Sequence, residues 1–365
     1  MAVTVKTGGT FTKAAGDRPG LYVRFIEKAI AAIGVGARAK VATVKTTFTG
    51  GTAQSGTVYR VTNMEQANAL FGEANTKDIQ YILVGGASEV VVAAKSPTAP
   101  AVTVTTGEYT TALQSLETYE FHIFVPEPGS ADSFAATIDT WLKTSKTEGK
   151  SFVVVYADDA EEGDLDGVQT KAIAVQDEYA VFVANGVKDG EGNTVSAEMY
   201  ACYIAGLIAG SALDGSITFV EVPFSEVITR YRNVEVKELL AAGLVVTVMD
   251  GDQPKIEQGL TLGDTTDQEF NKIRTVRAKQ AMIDDINKAV NDSYVGQITN
   301  SPDGQIAVVN AIKAYLETLS NANVVAPDFV VEVDKTIPSI GADLYINITV
   351  RFLDSIEYVY MTVTV

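Results

Sequence analysis

The stretch Phe152-Val-Val-Val-Tyr-Ala157 is apolar at nearly every position. A strand of that kind needs both faces covered, because the polar alternation that would leave one face to water is missing. Three further strand-like runs surround it: Tyr119 to Val125, Ala180 to Ala184 and Leu244 to Met249. Helical stretches separate them, including Ala131 to Lys146, Ser196 to Leu213 and Asn233 to Ala242. Helices between such strands supply the cover, so a doubly wound α/β middle domain is expected over 96–250.

Upstream, Lys40 to Val92 alternates β-branched runs with glycine punctuation. Val41-Ala-Thr-Val-Lys-Thr-Thr-Phe48, Thr57-Val-Tyr-Arg-Val61 and Glu89-Val-Val-Val-Ala-Ala94 read as strands around a helical Asn63 to Phe71. With its lead-in, Tyr22 to Ile33, this is a small β-rich domain over 21–95, joined to the next by Ser96-Pro-Thr-Ala-Pro100. The first twenty residues, ending Gly16-Asp17-Arg18-Pro19-Gly20, are rich in Thr and Gly and read as an extended arm closed by a turn.

Downstream, 251–342 reads as a helical α+β domain. Ile273, Val276, Ile283, Ile286 and Val290 recur at helical spacing, and Gln305 to Leu319 carries Val308, Val309, Ile312, Leu316 and Leu319 on one stripe. The end of the chain, 343–365, changes period. From Asp343 to Phe352, Leu344, Ile346, Ile348, Val350 and Phe352 face one way and Tyr345, Asn347, Thr349 and Arg351 the other, a strand with one buried face. Ile356 to Val365 continues strand-like, with Val359, Met361, Val363 and Val365 together. Whether the end strands pair in their own sheet or elsewhere, pattern alone leaves open.

Of the 365 residues, 46% are hydrophobic and 20% charged, the proportions of a folded protein. Twenty-eight Lys and Arg against 46 Asp and Glu leave a net charge of −18, which repels nucleic acid and anionic lipid. One cysteine, Cys202, rules out an internal disulfide, and one histidine, His122, rules out a multi-histidine metal site. The N-terminus lacks the apolar core of a signal peptide, and Met199 to Leu213 is too short to span a bilayer comfortably, so a soluble cytoplasmic protein is expected.

The chain offers little for catalysis. Gly34-Val-Gly-Ala-Arg-Ala39 has glycine spacing but not the strand-turn-helix order of a dinucleotide site. Gly149-Lys150-Ser151 leads into a strand, not a helix. The acidic run Asp158 to Gly167 has Ala160 and Gln169 where a calcium loop needs ligands, and reads as a solvated loop with at most weak cation affinity. His122 and Cys202 read as packed residues. An α/β enzyme would need a carboxylate-based site in a cleft at the carboxyl ends of the strands, and no such constellation is visible. No cofactor is implied.

Phe224-Ser-Glu-Val-Ile-Thr-Arg-Tyr-Arg-Asn-Val-Glu-Val-Lys-Glu-Leu-Leu-Ala-Ala-Gly243 resembles the end of the middle domain of contractile phage-type tail sheath proteins. So do Phe270-Asn-Lys-Ile-Arg-Thr-Val-Arg-Ala-Lys279, the pair Asp285-Ile286, Tyr294-Val-Gly-Gln-Ile-Thr-Asn300, Ile312 to Leu319, and Val350 to Val363. Pro19-Gly20-Leu-Tyr22-Val23 is similar to the family's N-terminal pattern. Gly296-Gln297 stands where the family has glycine-lysine, so a role for that lysine does not carry over.

The resemblance, densest in the C-terminal third, is to compact sheaths of phages, defective prophages and phage-tail-like bacteriocins. It implies a structural subunit, not an enzyme, forming stacked hexameric rings around a tail tube and contracting to drive the tube through a target envelope. Baseplate and terminator proteins would be further partners. Assembly would take place in the bacterial host cytoplasm, without nucleic acid or membrane insertion. It also implies that terminal strands of neighbours join a subunit's C-terminal sheet, which makes Val3, Val5, Ile356, Tyr358, Val359, Met361, Val363 and Val365 inter-subunit residues. In an acidic chain the local basic cluster Lys272, Arg274, Arg277 and Lys279 is the expected contact with the tube.

Overall fold

The computed structural model describes residues 38–159, 163–263 and 271–364. The expected N-terminal arm with Val3 and Val5, the lead-in Tyr22 to Ile33, Phe270 and Val365 lie outside them. The chain runs through β1 (Lys40–Lys45), β2 (Thr57–Val61), α1 (Met64–Phe71), α2 (Lys77–Gly85), β3 (Glu89–Ala94), α3 (Thr106–Leu116), β4 (Ile123–Phe124), α4 (Ala131–Thr147) and β5 (Val153–Ala157). It continues through α5 (Leu165–Val175), β6 (Ala180–Val183), β7 (Val187–Lys188), β8 (Thr194–Val195), α6 (Ala197–Gly210), β9 (Glu226–Val227), α7 (Asn233–Ala241), β10 (Thr247–Asp250) and β11 (Gln253–Ile256). Last come α8 (Ile273–Ser293), α9 (Pro302–Asn321), β12 (Val330–Val333) and β13 (Ile346–Thr349).

The main sheet has the order β2-β3-β1-β4-β5-β6. All pairs are parallel except β2 with β3. Every residue of β5 and β6 is buried, as strands without polar alternation require. Helices α2 and α6 pack together against the sheet, and α3 and α4 form a second packed pair against it. The mixed α/β class thus follows from the strand composition.

The expected boundary at 96 does not divide two domains. Strands from the expected β-rich domain and from the expected middle domain share this sheet, and one hydrophobic core runs from Val41 to Val276. Ser96 to Pro100 is part of a crossover between β3 and α3, because β1 takes β3 as one neighbour and β4 as the other. Strand content alone could not reveal that pairing. The expected strand Leu244 to Met249 also divides: Val245 bridges Val183 at the sheet edge, while Thr247–Asp250 turns at Gly251 into a hairpin with β11.

Glycine brings α6 close to α2. A Cβ on Gly206 would stand 2.1 Å from the carbonyl oxygen of Ile82, and one on Gly85 would stand 2.4 Å from that of Tyr203. No side chain larger than hydrogen fits between these backbones.

A second core contains Ala278, Met282, Ile312, Tyr315, Leu316, Leu319, Val325, Val331 and Phe352. The predicted α9 stripe is buried in it, and Ser301 caps that helix by accepting the Gly304 N–H at 3.2 Å, with Pro302 in the first turn. Helix α8 joins the two cores: Ile273 and Val276 belong to the first, Ala278 and Met282 to the second. At the junction, Asp285 accepts hydrogen bonds from Arg38 at 2.6 Å and the Tyr315 hydroxyl at 2.7 Å. Among the described residues the sheet of this second unit has two strands, β12 and β13, paired antiparallel.

Candidate assembly surfaces

In open α/β sheets a ligand crevice forms at the carboxyl ends of the strands where the order reverses. Here that place lies between β1 and β4, and side chains fill it. The Lys45 ammonium at the end of β1 is buried between Asp78 at 2.8 Å and Glu127 at 2.7 Å. Glu127 also accepts the N–H and hydroxyl of Thr46, both at 2.6 Å. Burial pulls the Lys45 pKa down, but the two carboxylates outweigh it and hold it above the ordinary range. The cleft that an enzyme would need is an ion-paired plug.

The acidic run is likewise engaged where it is described. Asp159 accepts the Glu198 N–H at 2.8 Å, and Lys171 pairs with Asp158 at 3.1 Å and with Asp132. Burial lifts the Glu198 carboxyl to about 7. Among the described residues no group of three or more His, Cys, Asp or Glu is placed to hold a metal. Gly149 sits in a turn before β5, so the Gly-Lys-Ser triplet opens no helix.

His122 and Cys202 are packed residues, as their settings in the sequence suggest. Burial, helped by the Arg38 cation, pushes the His122 imidazole down to about 4, leaving it neutral and a weak base. Burial pushes the Cys202 thiol up, away from the reactive thiolate. A cavity of about 590 Å³ at the opposite end of the strands is lined by His122, Trp141, Phe152, Arg38 and Asp284, with no activated nucleophile among them. No helix of the described residues is long and apolar enough to cross a membrane.

The unfinished surface is at the C-terminal end. In β13 the exposed residues Asn347 and Thr349 alternate with Ile346 and Ile348, which pack on the second core with Leu344, Val350 and Phe352. The pairing ends where Val325 bridges Phe352 and the Leu353 N–H meets the Val324 carbonyl at 3.0 Å. Ile356 to Thr364, read from sequence as a strand, has no strand partner among the described residues. Val359, Met361 and Val363 are 76%, 80% and 73% exposed. A strand needs a ladder, and alternation specifies only which face would be buried once a ladder exists.

The residues of the basic cluster are engaged within the chain. Lys272 is 9% exposed and paired with Glu357, while Arg277 is 6% exposed and donates to the Ser211 carbonyl at 2.9 Å. Burial lowers the Arg277 pKa to about 10. Arg274 donates to the Asn323 carbonyl at 3.1 Å and Lys279 pairs with Glu178 at 2.9 Å. These cations tie α8 to the rest of the chain, with Lys272 and Arg277 buried. The residue missed from sequence is Glu357: nothing in its spacing marked it, since its partners lie 85 to 139 positions away.

The phage tail sheath protein central domain matches residues 103–262, and the phage tail sheath C-terminal domain matches residues 265–365. A tail sheath protein of Clostridium phage phiCD119 is 25% identical over 264 residues, 71% of this chain and 70% of that one. The phage-like element PBSX protein XkdK of Bacillus subtilis is 26% identical over 275 residues, 71% of this chain and 56% of that one, so the match spans little more than half of that relative. The fold is that of the Desulfitobacterium hafniense sheath tail protein, with a TM-score of 0.71 at 16% identity over 92% of this chain and 100% of that one. It is also that of the anti-feeding prophage helical sheath in its contracted state, with a TM-score of 0.74 at 15% identity over 96% and 99%. With two consecutive sheath domains spanning most of its length and the sheath fold throughout, this chain belongs to the phage tail sheath protein family.

Proposed function

We propose that the chain is a non-enzymatic structural subunit of a contractile tail sheath, polymerising as stacked hexameric rings around a tail tube. The observation that carries this reading is the coexistence of a two-stranded sheet with open edges and a C-terminal segment whose apolar face is exposed. A two-stranded sheet is marginal by itself, and an unpaired apolar strand is a liability on a lone molecule. Each remedies the other when copies associate: residues 356–365 of one copy, and the arm carrying Val3 and Val5 of another, extend the β12–β13 sheet of a third. Backbone hydrogen bonds supply the strength of such a joint, and alternate side chains fix its register.

Contraction in this reading is a rearrangement of rigid blocks. The main sheet and its helices move as one body, while the arms keep neighbours connected and no core unfolds. The extended lattice is held kinetically and contracts to increase contacts between blocks. The particle is assembled in a bacterial cytoplasm with tube, baseplate and terminator proteins as partners. The tube contact is made by residues other than the buried Lys272 and Arg277.

Negative-stain microscopy of the concentrated full chain tests this reading, with rings or tubes as the expected result. A chain stopped before Ile356 should remain a folded monomer. Normal tubes from that truncation would refute the strand exchange.

A further inference from the structure

The C-terminal segment does not run free from the edge of the second core. After Leu353 it crosses back to the first core, and there Glu357 is held by three donors. The Thr218 hydroxyl donates to Oε1 at 2.9 Å, the Gln258 amide donates to Oε2 at 3.0 Å, and the Lys272 ammonium pairs with Oε2. The Tyr358 hydroxyl adds a 2.6 Å contact with the same Gln258 amide. The Glu357 side chain is 6% exposed and that of Lys272 is 11% exposed. Every polar atom of the carboxylate is thus occupied within an otherwise exposed stretch: Ile356 on one side is 87% exposed and Val359 on the other 76%.

We infer that Glu357 is a latch that positions the lent strand. It anchors the tail to the body at a point four residues past Leu353, and Tyr358 is held beside it, so that of the segment assigned to strand exchange the part free to reach another copy begins at Val359. The six described residues 359–364 then span about 20 Å when extended. Two consequences follow from tethering. The shorter free length raises the effective concentration of the strand at the neighbour's sheet edge. A fixed departure point also sets which residues enter the ladder, so Val359, Met361 and Val363 arrive on one face, and a slip of one residue would turn that face outward. Lys272 begins α8, the helix that joins the two cores, so the latch ties the lent strand to the junction between them.

This inference rests on the strand-exchange reading, and its test separates the two. Full-length wild type, Glu357→Lys, Lys272→Glu and the double charge swap are compared in two measurements. The first is the critical concentration for tube formation by sedimentation; the second is backbone 15N relaxation of segment 353–364 in unassembled protein. Each single reversal should raise the critical concentration roughly tenfold or more, the scale on which losing one partner of a buried ion pair is felt. It should also increase fast backbone motion at 354–357 without lowering the melting temperature of the body. The swap should restore both to within a few-fold of wild type. Single variants that assemble like wild type, or an assembly loss that the swap leaves unrepaired, overturn the latch. If wild type forms no tubes, strand exchange fails and the delivery role falls with it, whereas backbone motion at 354–357 still reports whether the latch is closed.

Discussion

The six-stranded sheet and the two-stranded sheet are built from similar β-branched residues, yet one is sealed and the other is open. In the first, β5 and β6 are buried throughout and the charges at the strand ends are matched inside the chain. In the second, β12 and β13 cover one face of a small core, while their outer edges and the backbone of the nearby tail have no strand partner among the described residues. The difference teaches where work is done. In the proposed reading the sealed sheet is the block that moves whole, and the open one is the joint between blocks.

The comparison is broken most completely by removing the tail. A chain ending at Ser355 should lose tube formation entirely, seen by sedimentation and microscopy, while its circular dichroism and melting temperature stay close to those of the intact chain. In the sealed region the largest effect should come from Lys45→Ala. It leaves Asp78 and Glu127 as uncompensated buried charges and should cost about 3–5 kcal/mol in urea unfolding. Gly206→Val should cost about 3 kcal/mol by the same measurement, because its side chain meets the Ile82 carbonyl between two helices.

Glu198 sharpens the contrast through pH. Burial raises its folded-state pKa to about 7 from an ordinary 4.5, so the folded chain holds this proton more tightly than the unfolded one. Its contribution therefore stabilises at low pH, is lost as pH rises from about 4.5 through 7, and is absent above. Glu198→Gln should abolish that dependence and gain on the order of 2 kcal/mol at pH 8 relative to pH 4.5, read from urea midpoints across the range. Arg274→Glu, which removes the donor to the Asn323 carbonyl at the start of α8, should cost about 1 kcal/mol in the same assay.

Much of the first region was legible because its signals are local. An unbroken apolar run such as Val153 to Ala157 demands cover on both faces whatever its neighbours, and the α4, α6, α7 and α9 helices follow from spacing within a few turns. The boundary placed at residue 96 failed for the opposite reason. Whether β1 pairs with β4 depends on contacts some 80 positions apart, which no local composition encodes. The setting of the basic cluster was hidden for the same reason. Lys272 and Arg277 look like solvent-facing charges in sequence, and only the fold brings Glu357 and the Ser211 carbonyl to them.

Periodicity along the chain was enough to place the strands buried on both faces and the helices, and to set the apolar residues of the tail at alternate positions, because it is set by the geometry of the backbone. Only the tertiary structure decided that the first two β-rich stretches share one sheet, that its ligand crevice is closed by Lys45, and that the tail is held at Glu357. Each of those outcomes depends on which distant groups become neighbours, and a buried charge keeps its place only when such a neighbour answers it.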